Sequence, residues 1–427
     1  MKRLAILILV AACGIAPVAT PTTTLSATTT PTVTTLVAEP MTTQPAPTTA
    51  PTLATTSTTL PPRPTLPEVV VGGLVVSMGE PPADVVERYA DFGGNVIMLW
   101  EAEEAQYWPD YPAIVWATGS GGQVNDPLRK LEPDQPPLEL ARNVVAVQVV
   151  DEPMPEAMSD HPLYKPVPQR LGLPVGEFTN FSYWSPYELV RKSGGSTEPY
   201  LNEMLAKYQG DRVMMSEYNL VNIHLDILAY FRRKALEMGL PYWQYLNSYS
   251  GYETGMQPVH SPSDLAWSAF AGAVMGYSGH IWFAYQFGSV GHDEAIQGGG
   301  SVLYEAPGEW TETPNWQIVA DINQALLAFS QRLAPMTSTE VCWGGGCGFS
   351  SSQRLVVGSF VDESGQEWWG ILNSNHSFTG SEESATVTMP FDALVCSPLG
   401  DCNQVPEDGQ VTLAAGWPVL VTQSAQS

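Results

Sequence analysis

Between residues 68 and 335, short runs rich in β-branched and aromatic residues alternate with stretches of helical spacing. This alternation constrains the fold most, because strands that are separated by helices usually pair in parallel within one sheet. Eight such runs occur, at 69–79, 95–100, 112–119, 144–150, 177–184, 212–219, 242–250 and 280–287. The pattern predicts an α/β fold in which residues 68–335 form a (β/α)8 TIM barrel.

The stretches between the runs supply the predicted helices, at 81–94, 196–210, 222–240 and 261–279. The last of these has Ser261 as its N-cap and Pro262 at its first helical position. A doubly wound open sheet is the alternative fold. No glycine-rich phosphate-binding loop follows the first run, which disfavours that alternative but leaves it open.

After the barrel region the spacing of apolar residues changes. Residues 315–333 place Ile318, Ile322, Leu326, Phe329 and Leu333 on one helical face, which predicts an amphipathic helix. From Pro335 onwards apolar and polar residues alternate in short runs between turn residues. Residues 336–427 are therefore predicted to form a small all-β sandwich.

The N-terminal residues predict export. Residues 1–13 combine Lys2-Arg3 with a short apolar run, and they end at Cys13 in a pattern that resembles a bacterial lipobox. The resemblance implies a lipid anchor on Cys13 at the extracellular face of the cell membrane; an ordinary signal peptide is the alternative. Residues 14–67 are mostly Thr, Pro and Ala, which predicts a disordered linker.

The composition bears on possible partners. A net charge of -26 repels the phosphates of nucleic acids, so a nucleic acid partner is not expected. Only 15% of the residues are charged and 10% are aromatic, which suits a neutral, hydrogen-bonding partner better than an ionic one. Metal-ligand spacing, a Ser-His-Asp signature and a phosphate-binding loop are not found in the sequence. We therefore predict neither a metal nor another cofactor.

Four cysteines lie near the C-terminus. Glycines between the members of each close pair favour the local disulfides Cys342–Cys347 and Cys396–Cys402. A zinc site built from four cysteines is the alternative, but an exported protein meets an oxidising environment that favours disulfides.

The fourth predicted strand ends abruptly in two acids and a proline. Asp151 and Glu152 follow an apolar run, and Pro153 cannot continue the ladder of backbone hydrogen bonds. In a parallel barrel the C-terminal ends of the strands form the face that carries the chemistry. The acids are therefore candidate catalytic groups. The alternative is that they cap the following helix, which carries a positive dipole end.

The "DEP" at 151–153, the stretch "GYSGHIWFAYQF" at 276–287 and the β-domain that follows resemble clan A glycoside hydrolases, notably β-galactosidase-like family 42. The resemblance covers roughly residues 68 to 425. It implies that Glu152 is the general acid/base. Asp151 stands where that clan has an asparagine that contacts the sugar's 2-hydroxyl, so this contact is in doubt.

The resemblance also implies a nucleophilic glutamate at the end of strand seven, where this chain has none. Glu217 at the end of strand six and Glu253 beyond strand seven are the candidates for the second carboxylate. We prefer Glu217, since strand ends position groups better than loops. A separation of about 5 Å between the two acids would suit a retaining mechanism and about 6.5–9.5 Å an inverting one.

Aromatic residues recur at the ends of the predicted strands, where indole and phenol rings can stack on sugars. The predicted substrate-binding residues are Asp151, Trp100, Trp116, Trp184, Tyr218, Tyr245, Tyr285 and Gln286. Any one of these aromatic residues could instead belong to the core.

These features predict an exported glycoside hydrolase that acts on an oligosaccharide or polysaccharide through paired carboxylates. The first alternative is a catalytically inactive carbohydrate-binding lipoprotein of the cell surface, which the missing strand-seven acid would suit. The second is a structural protein of the cell envelope that binds no glycan.

Overall fold

The structure of the protein is a computed structural model. It describes residues 63–75, 80–116, 140–151, 173, 177–182, 202–203, 205–208, 210–216, 225–248, 261–286, 304–305, 310–344, 347–377 and 380–424. For residues 149–151, 177–182, 304–305 and 311 it describes the backbone alone. All of these residues belong to one compact unit, Pro61–Ser427.

Eight parallel strands form the first part of this unit. They are β1 (Val70–Val75), β2 (Val96–Leu99), β3 (Ala113–Trp116), β4 (Val144–Asp151), β5 (Glu177–Ser182), β6 (Arg212–Ser216), β7 (Tyr242–Asn247) and β8 (Gly279–Gln286). Each strand pairs with the next along the chain, and β1 also pairs with β8, with Val71 opposite His280. The sheet therefore curls round on itself. Two short strands, β9 (Tyr304–Glu305) and β10 (Thr311–Glu312), extend it beyond β8.

Helices occupy several of the connections between the strands. They are α1 (Ala83–Arg88), α2 (Leu225–Met238), α3 (Pro262–Ala273) and α4 (Asn315–Leu333), with a short 3-10 helix at Ala102–Tyr107. The predicted mixed α/β architecture and the predicted bounds of α4 are confirmed. The complete (β/α)8 barrel stays a prediction, because only some of the connecting helices lie within the described residues.

Helix α3 begins as the sequence predicts and ends earlier. The Ser261 hydroxyl accepts a hydrogen bond from the Asp264 amide, the Asp264 carboxylate accepts one from the Ser261 amide, and Pro262 is the first helical residue. The prediction extended this helix to residue 279. Gly276 has a φ of 91°, a left-handed conformation that favours glycine, and it turns the chain between α3 and β8.

The strands carry apolar side chains on both faces, because successive residues of a strand point to opposite sides. The inner cluster includes Val70, Leu74, Val96, Met98, Ile114, Trp116, Met214, Trp243, Tyr245 and Ile281. The outer cluster joins the strands to the helices and includes Val71, Ile97, Val115, Val213, Leu246, Trp282, Phe231, Phe270 and Phe329. Runs that are buried on both faces explain the nearly continuous apolar strands of the sequence.

The C-terminal residues form two antiparallel sheets. The larger has the order β11 (Thr337–Gly344), β13 (Leu355–Val361), β14 (Glu367–Asn373), β19 (Pro418–Gln423), β16 (Ala393–Cys396), β17 (Cys402–Gln404). The smaller has the order β12 (Ser350–Ser351), β15 (Ala385–Thr388), β18 (Gln410–Leu413). An apolar cluster contains Val357 and Ile371 from the larger sheet and Val387 from the smaller. The antiparallel strands are confirmed, and the sandwich domain with its boundary at 335/336 stays a prediction.

Close contacts join the larger sheet to the helices. A Cβ atom placed on Gly358 of β13 would lie 1.6 Å from the Val274 carbonyl oxygen, so only glycine allows this approach. The His376 Nδ1 atom lies 2.8 Å from the Asp264 carboxylate, and both side chains are buried. The His376 ring also stacks on Trp267, with ring centroids 4.8 Å apart.

Both predicted disulfides are present, with Cα–Cα distances of 5.7 Å for Cys342–Cys347 and 3.9 Å for Cys396–Cys402. Among the helices that the structure describes, none combines the length and the apolar character needed to cross a membrane. The predicted signal peptide at 1–13, including Cys13, and the linker up to residue 62 lie outside the described residues.

Candidate functional site

The parallel strands bring their C-terminal ends to one end of the curled sheet. The register places Trp116 of β3 opposite Gln148 of β4, Ser216 of β6 opposite Tyr245 of β7, and Asn247 of β7 opposite Phe283 of β8. This end is also the one at which β4 reaches Asp151. The arrangement therefore gathers aromatic and polar residues at the end of the sheet where the chain leaves β4 toward Glu152, the predicted general acid/base.

Two of the predicted substrate-binding aromatics stack on each other at this end. Trp100 follows β2 directly, and its amide donates to the Val75 carbonyl at 3.0 Å. The rings of Trp100 and Trp116 lie with centroids 4.2 Å apart at an interplanar angle of 29°. Trp116 is 5% exposed, whereas Trp100 is partly exposed. Trp116 thus supports Trp100, which presents accessible ring surface.

The indole nitrogen of Trp116 is a buried donor for which the described residues supply no hydrogen-bond partner. Most buried polar groups in proteins do have a partner, and one that lacks it is costly. The same holds for Gln286 Oε1 at the end of β8, whose residue is 3% exposed. Two of the predicted site residues therefore carry unused hydrogen-bonding capacity in the structure.

Beneath these residues a polar contact crosses the inside of the sheet. The Tyr245 hydroxyl lies 3.2 Å from Gln148 Oε1 and 3.0 Å from Met98 Sδ. Both Tyr245 and Gln148 are almost fully buried. Tyr245 thus links β7 to β4 below the predicted acids, rather than presenting an exposed ring to a sugar.

Gln148 was not singled out by the sequence analysis. It is the one polar residue in the run 144–150, and it precedes Glu152 by four positions. A lone amide within a strand that is buried on both faces was the available signal, because such a group needs a specific partner.

A buried acid in the connection between β2 and β3 was also missed. Glu104 lies on the 3-10 helix that follows β2, and it is 5% exposed. The Asn143 side-chain amide lies 3.0 Å from the Ala105 carbonyl and 2.8 Å from the Trp108 carbonyl, and it holds this segment in place. The "EAEEA" at 101–105 was the available signal, but sequence alone does not show which of its glutamates is buried.

Strand β7 ends in an amide where the resembled clan has an acid. Asn247 is its last residue and is 7% exposed. Gln244, the other amide of the strand, lies on the outer face. Its Nε2 atom lies 3.2 Å from the Ala269 carbonyl oxygen and 3.0 Å from His280 Nδ1. Of the two amides of β7, only Asn247 therefore lies at the C-terminal end of the strand, where the catalytic groups are predicted.

Tyr285 lies away from the Trp100–Trp116 stack. It belongs to the outer cluster, where its ring contacts Tyr89, Phe92 and Trp108 with centroids 5.0, 4.8 and 6.3 Å apart. Its side chain is fully buried. The structure therefore does not bring it together with the other predicted substrate-binding residues.

Tyr89 shows how this outer aromatic group joins the strands. Its hydroxyl donates to the Val96 carbonyl at 2.6 Å and accepts from the Gly73 amide at 3.0 Å. Burial raises the pKa of this phenol well above its usual range, so the hydroxyl stays protonated and keeps donating. The group holds β1 and β2 together and is structural.

The predicted catalytic residues Glu152, Glu217 and Glu253 lie outside the described residues, as do Trp184 and Tyr218. For Asp151 only the backbone is described, and it pairs with Asn180 of β5. The roles of all these residues therefore stay predictions. Within the described part of the chain, no three His, Cys, Asp or Glu side chains gather as a metal ion would require.

No protein-family model matches the sequence, and a comparison with curated proteins finds no match. Solved structures do match. One described as a glycoside hydrolase is 10% identical and covers 84% of this chain and 93% of its own, with a TM-score of 0.50. A glycoside hydrolase family 5 protein from Bacteroides vulgatus is 10% identical over 84% of this chain and 90% of its own, with a TM-score of 0.47.

An endo-β-1,4-mannanase from Thermotoga petrophila is also 10% identical and covers 81% of this chain and 97% of its own, with a TM-score of 0.41. The likeness at a TM-score of 0.50 shows a glycoside hydrolase-like fold. At this identity the likeness concerns the fold alone, and folds of this kind carry many different chemistries.

Proposed function

We propose that this protein is an exported glycoside hydrolase that cleaves O-glycosidic bonds at the C-terminal end of a complete (β/α)8 barrel. The observation that carries the proposal is the Trp100–Trp116 stack at the end of the sheet where β4 ends in Asp151, the residue before the proposed acid Glu152. The partly exposed indole ring of Trp100 could hold a sugar ring, and the carboxylates that we propose at this end could act on its linkage.

In the proposed mechanism Glu152 is protonated before the reaction and gives its proton to the glycosidic oxygen as the bond to the anomeric carbon breaks. The second carboxylate is ionised and either attacks that carbon or removes a proton from the attacking water. We assign this role to Glu217, with Glu253 as the alternative. Asp151 and Trp100 would hold the sugar.

The register gives the lateral separation of the two strands that precede the proposed acids, and Glu217 follows three residues after the position level with Asp151. Asp151 of β4 lies opposite Asn180 of β5, and Asn180 lies opposite Met214 of β6. The ends of β4 and β6 are therefore two strand spacings apart, roughly 9 to 10 Å. Side chains that lean toward each other across such a gap would give the retaining spacing, and side chains that stand straight would give the inverting one.

The remaining parts of the proposal rest on the sequence. Residues 336–427 would form a sandwich domain behind the barrel. Residues 1–13 would direct export and leave a lipid on Cys13, with 14–67 as a linker between the membrane and the folded part.

Glu152→Gln tests the catalytic assignment. The amide keeps the size of the side chain but cannot supply a proton, so kcat on a panel of aryl glycosides should fall by roughly 100-fold or more. Glu103→Gln changes an exposed glutamate of the 3-10 helix and is the control. Its kcat should remain close to that of the parent protein. Equal activity of Glu152→Gln and the parent would refute the assignment.

The second candidate is a carbohydrate-binding protein without catalysis. It is favoured by one observation, namely that β7 ends in Asn247 instead of an acid. This candidate expects saturable oligosaccharide binding by the parent protein with no product released from any glycan. Measuring binding and product release on the same panel separates the two functions.

A further inference from the structure

A groove between α2 and β11 shares no lining residue with the Trp100–Trp116 stack. It has a volume of about 630 Å³ and is lined by Ala229, Arg232, Arg233, Leu236, Glu237, Thr339, Glu340, Val341 and Trp343. Leu236 lies near the C-terminal end of α2, which leads into the N-terminal end of β7. The groove therefore lies along α2 and β11 and not among the strand ends of the candidate active site.

Two apolar side chains in this groove are unusually accessible. Trp343 is 38% exposed and Leu236 is 41% exposed. Among the described residues only Met238 and Leu399 are also large, apolar and exposed to this degree. Exposed apolar groups that share one concave surface indicate binding more strongly than scattered ones do.

The neighbouring contacts keep Trp343 and the groove in place. The Cys342–Cys347 disulfide closes the chain immediately around Trp343. Arg232 is buried at the base of the groove, and its Nε and Nη2 atoms donate to the Ser338 hydroxyl at 3.0 and 2.8 Å. The site is therefore built on a strand and a helix that contact each other directly.

The charges of the groove argue for a neutral ligand. Glu237 is already paired with Lys234 at 2.8 Å, and the buried Arg232 donates to Ser338. This leaves one exposed cation, Arg233, and one exposed anion, Glu340, on the groove. Such a balanced set gives no preference for an anion or a cation, but planar guanidinium and carboxylate groups can hydrogen-bond to pairs of neighbouring hydroxyls.

The size of the groove argues for a small ligand and against a protein. Its volume of about 630 Å³ falls within the range of small-molecule sites, roughly 300–1,000 Å³. A stable protein interface needs about 800 Å² from each partner, which one tryptophan and one leucine do not provide.

We propose that this groove is a second, non-catalytic binding site for a neutral oligosaccharide, with a sugar ring stacked on Trp343. The ligand class rests in part on the proposed function, since a site for glycan chains would be of use to a protein that acts on them. The site would hold a polysaccharide beside α2 and β11 while its chain is cleaved at the strand ends.

The test is affinity electrophoresis of the full chain in gels that contain soluble β-1,3-glucan, β-1,4-mannan or β-1,4-galactan. Trp343→Ala should weaken retardation by at least one of these glycans about fivefold to tenfold, the effect expected for loss of one aromatic contact. Met238→Ala removes an equally exposed side chain at the end of α2 that does not line the groove, and it should bind like the parent.

Each outcome bears on the inference. Parent-like retardation of Trp343→Ala, or no retardation of the parent protein by any of the three glycans, would overturn it. The parent protein and Trp343→Ala are also compared by sedimentation. A dimer that forms in the parent and is lost in Trp343→Ala would show that Trp343 contacts a second copy of the chain, and this would also overturn the inference. The proposed hydrolase fails separately, if Glu152→Gln keeps full turnover.

Discussion

His280 illustrates how a single buried side chain couples stability to pH. It lies on the outer face of β8, with Nδ1 3.0 Å from Gln244 Nε2 and Nε2 3.3 Å from the Ser330 hydroxyl. Burial lowers the pKa of this imidazole from 6.5 to about 3, because the low-dielectric surroundings disfavour the charged ring. The folded protein therefore keeps His280 neutral at pH values where the unfolded chain already binds a proton.

This difference predicts a loss of stability in acid. Between pH 6.5 and about 3, each unit of decrease should lower the free energy of unfolding by up to about 1 kcal/mol through His280 alone. The variant His280→Gln lacks the pH-dependent contribution of this imidazole, while all other titratable groups are the same in the parent and the variant. The stability difference between the parent and the variant, measured by urea unfolding at pH 7 and pH 4.5, should therefore shrink in acid. A constant difference would contradict the assignment.

Individual residues were also the hardest to predict from sequence. The exposed platform expected of Tyr245 is in the structure a buried hydroxyl that contacts Gln148, and Tyr285 lies in the outer cluster. Both residues occur in strands that are apolar on both faces, so period-two spacing cannot assign a side. Trp100 and Trp116, in contrast, could be paired with each other only after the register of β2 and β3 was known.

At the scale of the element, helix α3 tests the value of a capping box. Ser261→Ala removes the hydroxyl that accepts from the Asp264 amide, so the unfolding free energy should fall by about 1 kcal/mol. Gln324→Ala, which changes an exposed residue within α4, is the control and should be close to neutral. Thermal unfolding of the three proteins measures the effect, and equal melting temperatures would argue against a stabilising cap.

The elements themselves were largely predictable. All eight strands occur where β-branched runs predict them, and α4 has the predicted bounds because its apolar face is regular. The 3-10 helix Ala102–Tyr107 was not predicted, since its stability depends on the distant Asn143 amide and not on local spacing. Helix α3 was predicted too long because the apolar residues Val274 and Met275 continue past its end until Gly276.

At the scale of the whole molecule, two paired glycines test how the larger antiparallel sheet packs on the helices. Gly358 and Gly370 lie opposite each other in β13 and β14. A Cβ atom on Gly358 would lie 1.6 Å from the Val274 carbonyl oxygen, while one on Gly370 would make an ordinary contact 3.5 Å from Phe329. Gly358→Ala should therefore destabilise the protein by roughly 1–3 kcal/mol or more, because the sheet must shift.

Gly370→Ala is the matched control, and it should lower the free energy of unfolding markedly less than Gly358→Ala does. The two variants are compared by chemical unfolding, and equal losses would show that β13 does not press on Val274. This packing was beyond prediction from the sequence, since nothing local marks which of two strand glycines faces a carbonyl from another element. The fold class was within reach because alternation along the chain reflects which strands neighbour each other.

The pairing of β1 with β8 has a consequence for how the chain is made. The two strands are separated by about 200 residues, so the contact closes late in folding and one edge of β1 has no neighbour until residue 286 has been synthesised. A nascent or truncated chain that stops before β8 would expose this strand edge to other chains and invite aggregation.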